Sequence, residues 1–188
     1  MRASALSIHG AHLIESPVFD DGRGIFREWF KSGDLEIDGI AFSVAQANLS
    51  HSVRGTVRGL HYSLAPEGQA KVVTCVMGEL DDAIVDVRVD SPSFGRVEYV
   101  TLNARDGLSL HLPEGVAHGF CVRAPFAAMA YLLSSPYDPA TELGITPFDS
   151  TVAVPWHLDA EPVLSLRDAE APTLRERLEA GQLPAFNG

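Results

Sequence analysis

Cysteine is nearly absent from this chain: Cys75 and Cys121 are the only two among 188 residues, and both lie inside apolar runs. Two such thiols make no disulfide framework. The sequence predicts two reduced core cysteines in a cytoplasmic protein. Basic residues are scarce as well, with 14 Lys and Arg against 25 Asp and Glu and a formal net charge of −11. That balance lacks the electrostatic footprint of a nucleic-acid binder or of a protein that docks on anionic membranes. No window approaches the roughly 20 apolar residues that span a bilayer. The first segment, MRASALSIHGAHLIES, has one Arg and no sustained apolar stretch, which argues against a signal peptide. HExxH, CxxC, Walker-type Gly-Lys and GxGxxG motifs are missing, as is a GxSxG elbow in a triad order.

What is present is an ordinary globular composition, 46% hydrophobic and 21% charged, over a length that suits one domain spanning residues 1–188. Gly and Pro are spread along the chain and no repeat is evident. Between residues 42 and 135 short apolar runs alternate with turn signals. The runs are FSVAQANLS, TVRGLHYS, AKVVTCVM, LDDAIVDVRV, RVEYVTL, LSLHLP, AHGFCVRA and AAMAYLLSS. This spacing predicts an all-β sandwich or barrel. In Asp82–Arg88 the alternation puts Ala83, Val85 and Val87 on a core face, with Asp82, Asp86 and Arg88 opposite beside Ile84. Asp86 and Arg88 read most simply as a charge pair on a sheet face, worth little if exposed. Two helices are expected. One follows a Thr173/Glu176 capping box, with Leu174 and Leu178 on one face and Gly181 at its end; a shorter one covers IFREWFKSG.

Several residues could carry chemistry, each against a blander reading. His61 in RGLHYS lies among apolar residues, where a lone His is more often a core residue than a catalyst. Arg58 precedes it, and Lys71 opens the next strand, where a Lys is costly unless paired or snorkelling. Cations and an imidazole on one cavity suit an anionic or enolate-forming ligand. Parity points Arg58 and His61 to opposite faces unless Gly59 permits a bulge. His118 in LPEGVAHGF is a weak signal alone. Tyr131 in AMAYLLS reads equally as a core aromatic whose OH finds a backbone partner. The Arg23, Phe26 and Glu28 stretch reads as a charge-paired loop. Asp168 beside Arg167 reads as a surface ion pair, or as a carboxylate that orients a distant His.

Taken together, FDDGRGIFREWF, QANLSHS, VRGLHYSLAPEGQAKVV, DAIVDVRVDSPSFG, LPEGVAHGF, AYLLSSPYDPATELGI and LSLRDAEAP follow one another in an order and spacing that resemble the dTDP-4-dehydrorhamnose 3,5-epimerase family. The resemblance implies a cupin-like jelly roll, an all-β sandwich or barrel with short helices near its ends. It implies a metal-independent, cofactor-free isomerase that inverts C3 and C5 of dTDP-4-dehydro-6-deoxyglucose in dTDP-rhamnose biosynthesis. On this likeness His61 is the general base, Asp168 its partner, Tyr131 the opposing acid, and Lys71 and His118 lie near the sugar C4 oxygen. Arg23, Phe26, Glu28, Gln46, Asn48, Arg58, Glu142 and Arg167 match nucleotide-sugar positions, and Tyr137 an aromatic near the substrate. The Arg23–Glu28 segment of the family crosses to a second subunit, so a homodimer is implied. Arg23, Arg58, Lys71 and Arg167 are expected to form a basic pocket on an acidic protein.

Two departures stand out. Ser63 follows His61-Tyr62 where the family often has Gln, and Arg167 stands where Lys is common; both bear on affinity rather than on reaction type. The competing readings are a relative acting at C3 or C5 alone, a non-catalytic nucleotide-sugar-binding module, and a metal-dependent cupin oxygenase. The last needs two His one residue apart, and Tyr62 and Ser63 follow His61 instead.

Overall fold

A computed structural model describes residues 1–33, 35–37, 40–64 and 68–186. In chain order the strands are β1 (Arg2–Ala5), β2 (His12–Glu15), β3 (Val18–Asp21), β4 (Gly24–Arg27), β5 (Glu36–Ile37), β6 (Ile40–Ala41), β7 (Gln46–Val53) and β8 (Val57–Ser63). They continue with β9 (Lys71–Met77), β10 (Glu79–Asp86), β11 (Val97–Asn103), β12 (Leu108–Leu112), β13 (Val116–Val122), β14 (Phe126–Leu133) and β15 (Glu142–Gly144). The helices α1 (Leu166–Ala169) and α2 (Leu174–Glu179) follow. Each of the eight apolar runs picked out from the sequence overlaps one of the strands β7–β14. One sheet has the order β1-β2-β12-β9-β14-β7 and the other β11-β10-β13-β8-β15. The pairings within both are antiparallel. The result is a cupin-like jelly roll.

Burial falls into three apolar layers. Between the sheets, Val73, Cys75, Leu110 and Met129 meet Leu80, Ile84, Phe120 and Val122. The outer face of the five-stranded sheet (Leu60, Tyr62, Ala83, Val85) lies under Ile145, Val152, Val154 and Leu174. The outer face of the six-stranded sheet (Ile14, Val72, Leu132) lies under Trp29, Phe30, Leu35 and Phe42. β10 therefore has two buried faces, not the one expected: the C-terminal segment covers Ala83, Val85 and Val87, and the opposite face, with Leu80 and Ile84, lies between the sheets. Cys75 and Cys121 are buried free thiols, and burial pushes each up to about 11.

The C-terminal helix matches its sequence signal. Thr173 and Glu176 form the capping box, Leu174 is buried, and Gly181 follows the last turn at φ +65°. The expected helix over IFREWFKSG does not form. Residues Gly24–Arg27 pair with Val18–Asp21 as a hairpin instead. Ile25, Phe26 and Arg27 alternate half-buried, exposed, half-buried, a two-residue period. Arg27 donates to the Thr74 hydroxyl and the Cys75 carbonyl, which docks the extended chain on the sheet. Tertiary contacts override local helix preference here.

The Asp86–Arg88 pair is not a surface pair. Asp86 is 0% and Arg88 6% exposed, and the carboxylate accepts from Arg88 Nε and Nη2 and from the hydroxyls of Ser91 and Ser93. Burial works to raise the Asp86 pKa, but these donors outweigh it and hold the carboxyl below its ordinary value. A depressed carboxylate contributes stability above its unfolded pKa of about 3.9, and that contribution is lost as pH falls through the folded value. Asp86→Asn is expected to cost about 3–5 kcal/mol at neutral pH, since it leaves Arg88 buried and unpaired. Unfolding titrations at pH 6 and pH 3 check this, and the deficit of the variant should shrink at the acid end.

Candidate active site

The local sequence of β8 shapes one wall of the site. Leu60 and Tyr62 point into the outer core, so His61 turns inward. Regular alternation would send Arg58 outward with Leu60. It does not, because the register slips: His61 lies opposite His118 while Arg58 lies opposite Phe120, three residues against two. The slip falls at Gly59, which has φ +123° and whose Cβ would sit 2.5 Å from the Gly119 Cα. Only glycine fits such a bulge. Arg58 and His61 thus line the same cavity, as the parity argument requires.

That cavity measures about 630 Å³ and lies between the sheets, beyond the apolar layer that fills the rest of the interior. The five-stranded sheet supplies Arg58, His61, His118 and Glu142. The six-stranded sheet supplies Asn48, Lys71 and Tyr131. Tyr137 comes from the loop after β14, and Arg167 and Asp168 from α1. His61 and Tyr131 therefore approach from opposite sheets.

His61 Nε2 lies 2.6 Å from Asp168 Oδ1. A carboxylate there accepts the Nε2 hydrogen, which leaves Nδ1 as the nitrogen free to take a proton. Ser165 caps α1 and fixes the carboxylate twice over, donating to Asp168 Oδ2 at 2.8 Å and accepting from the Asp168 amide at 3.1 Å. Burial acts to raise the Asp168 pKa, but the bond to His61 and its charge, the Ser165 hydroxyl and Arg167 together hold it below the ordinary carboxylate value. Asp168 is thus an ionised partner, buried at 4% exposure, and not the surface ion pair its neighbour suggested.

Lys71 is 8% exposed. Desolvation lowers its pKa, Glu142 partly offsets this, and Arg167 adds to the lowering. Burial pushes the Tyr131 phenol up to about 12 and keeps it protonated, although the Ser50 hydroxyl 3.2 Å away works the other way. The partner of that phenol is a side chain, not the backbone group expected of a core aromatic. His118 Nε2 lies 2.8 Å from the buried carboxylate of Asp82, and its ring stands edge-on to that of Tyr131. Arg167 braces the mouth, with Nη2 donating to the Glu142 carbonyl and Nη1 to its carboxylate.

Four expected residues do not line the cavity of this chain. Arg23 pairs with Asp21 at the tip of the β3–β4 hairpin with a 91% exposed side chain; Phe26 is 70% exposed, and Glu28 is exposed too. Gln46 bonds the Asn48 side chain and the Tyr137 amide behind the wall. The expected four-cation pocket therefore contains three cations of its own chain, Arg58, Lys71 and Arg167. The hairpin docks on the outer face of the six-stranded sheet and carries Arg23 away. Ser63 also stands off the cavity; its hydroxyl accepts from the amide of Gln69, which does line it.

Ser50, Asp82 and Ser165 escaped the sequence reading. Only Ser165 left a local trace, the Ser-x-x-Asp spacing of a helix cap. Among the described residues no group of three or more His, Cys, Asp or Glu side chains could hold a metal ion.

A carboxylate-held imidazole and a protonated phenol on opposite walls of a cation-lined cavity have the chemistry that proton transfer on an anionic ligand needs. A family model described as dTDP-4-dehydrorhamnose 3,5-epimerase matches residues 5–176. A dTDP-4-dehydrorhamnose 3,5-epimerase of Mycolicibacterium smegmatis is 42% identical over 99% of this chain and 92% of its own. A dTDP-4-dehydrorhamnose 3-epimerase of Streptomyces niveus is 43% identical over 99% of this chain and 90% of its own. The structure of a dTDP-6-deoxy-D-glucose-3,5-epimerase from Legionella pneumophila in complex with dTDP-4-keto-L-rhamnose superposes with a TM-score of 0.92. It is 34% identical and covers 100% of this chain and 99% of that one. The chain belongs to the dTDP-4-dehydrorhamnose 3,5-epimerase family, and its activity is that of an epimerase in the isomerase class.

Proposed function

We propose that His61 and Tyr131 carry out the inversion of C3 and C5 of dTDP-4-dehydro-6-deoxyglucose, giving dTDP-4-dehydrorhamnose. The observation that carries this reading is the placement of the His61–Asp168 pair and the Tyr131 phenol on opposite walls of one cavity. Both C3 and C5 lie next to the C4 carbonyl, so each becomes acidic once the enolate oxygen is stabilised. His61 Nδ1 takes the proton from one face of the sugar. The C–H electrons pass to the C4 oxygen, where the buried Lys71 and His118 meet the developing charge. Tyr131 then delivers its phenol proton to the other face, which inverts the centre. The imidazolium and tyrosinate that remain are reset through solvent, and the cycle runs again at the second carbon. Asp168 holds the imidazole in the tautomer that leaves Nδ1 free.

Arg58 and Arg167 suit the diphosphate, with Asn48, Tyr137 and Glu142 placed around the nucleotide. Gln46 holds Asn48 and the Tyr137 backbone in place. The exposed Arg23, Phe26 and Glu28 complete the cavity of a second copy, in a homodimer whose hairpins exchange. The 62% exposed Phe19 and 70% exposed Phe26 on that hairpin support the exchange, because apolar rings so placed favour a covering partner. The whole of residues 1–188 acts as a single domain in the cytoplasm, a compartment in keeping with two free, buried thiols.

The test is incubation with dTDP-4-dehydro-6-deoxyglucose in excess chelator, with the product identified by NMR. Inversion at both carbons is the expected result. A product inverted at C3 alone would move the chain to the narrower reaction, and unchanged substrate would support the binding module.

A further inference from the structure

Ser50 lies on β7, the edge strand of the six-stranded sheet, opposite Met129 of β14. Its side chain lines the cavity, and its hydroxyl is 3.2 Å from the OH of Tyr131, diagonally across the strand pair. Either oxygen could donate in that bond, and the two choices have opposite chemical consequences. If the phenol donates to Ser50, its proton points away from the substrate. If Ser50 donates, the phenol proton is free to reach carbon. When that proton moves, the O–H bond of Tyr131 breaks, a C–H bond forms, and a tyrosinate is left where burial opposes the charge.

The charged and titratable groups around the phenol come from several strands. Arg58 of β8 favours the tyrosinate, Asp82 of β10 disfavours it, His118 of β13 stands edge-on with ring centroids 6.2 Å apart, and Lys71 of β9 lines the same cavity. Ser50 adds a hydroxyl within hydrogen-bonding distance of the phenol oxygen. A donor fixed before the charge appears strengthens as the charge develops, so it acts on the transition state more than on the bound substrate.

We propose that Ser50 is a positioning residue that works through Tyr131, turning the phenol proton toward the sugar and stabilising the tyrosinate left behind. This rests on the reading of Tyr131 as the acid.

The experiment compares wild type, Ser50→Ala and Ser50→Thr in D2O with dTDP-4-dehydro-6-deoxyglucose. It measures inverted product and deuterium in recovered substrate separately. Loss of a hydrogen bond to a charged group corresponds to a slowing of about ten- to a hundredfold. That slowing is expected in the inversion rate of Ser50→Ala, with deuterium wash-in and KM near wild type and with Ser50→Thr largely restored. A second readout needs no turnover. In protein labelled with 3,5-difluorotyrosine, the Tyr131 fluorine resonance, assigned by Tyr131→Phe, should titrate at higher pH in Ser50→Ala than in wild type. Unchanged inversion with an unmoved titration overturns the proposal. So does an equal fall in exchange and inversion that Thr does not rescue. Wild-type protein with neither exchange nor inversion defeats the epimerase reading, and the fluorine titration then decides the Ser50–Tyr131 coupling alone.

Discussion

Replacing His61 with Asn is expected to slow inversion at both carbons by about 10²–10⁴-fold, the range a general base supplies. Deuterium wash-in from D2O should fall with it, because no other residue on that wall takes the substrate proton. The nucleotide should bind nearly as before, since Arg58, Tyr137 and Arg167 are untouched. The fold should hold too: His61 lies in none of the three apolar layers. Steady-state rates, NMR exchange and dTDP titration check these expectations in turn. Turnover near wild type would remove His61 from the chemistry.

Tyr131→Phe is expected to separate proton removal from inversion, which His61→Asn slows together. Phe keeps the ring that packs against the inter-sheet core and deletes only the OH. His61 still removes protons on its own face, so deuterium enters the starting sugar. Inversion needs a donor from the opposite sheet, and its rate should drop by a general-acid factor of about 10²–10⁴. If exchange and inversion both stay near wild type, Tyr131 is a packed core aromatic. If both collapse, the phenol is needed at proton removal and a different group is the acid. Tyr137→Phe is the control, because Tyr137 also lines the cavity but is 47% exposed.

The sequence shows much of this architecture. Alternation and turn residues locate the central strands, and the Thr173/Glu176 box marks α2, because those signals are local. The N-terminal hairpin reads as a helix for the converse reason. Its extended form depends on Arg27 reaching Thr74 and the Cys75 carbonyl, 47 and 48 residues away. Both readings of Asp168 are open from sequence, and the choice lies in a contact with His61 across 107 positions. Family likeness points to that pair; parity alone cannot, since it says nothing of which sheet a strand joins. No local pattern marks Ser50 or Asp82 as part of the site. Each matters through one bond to a residue on another strand, Tyr131 and His118.

The central claim is that proton removal and return at two faces of one enolate account for the reaction. Turnover of dTDP-4-dehydro-6-deoxyglucose by the wild-type protein in D2O tests it most directly. The expected product carries solvent deuterium at both C3 and C5, with the label at each inverted centre. Inverted product with hydrogen retained at either carbon would contradict it, because no proton would then have exchanged between the sugar and the two side chains.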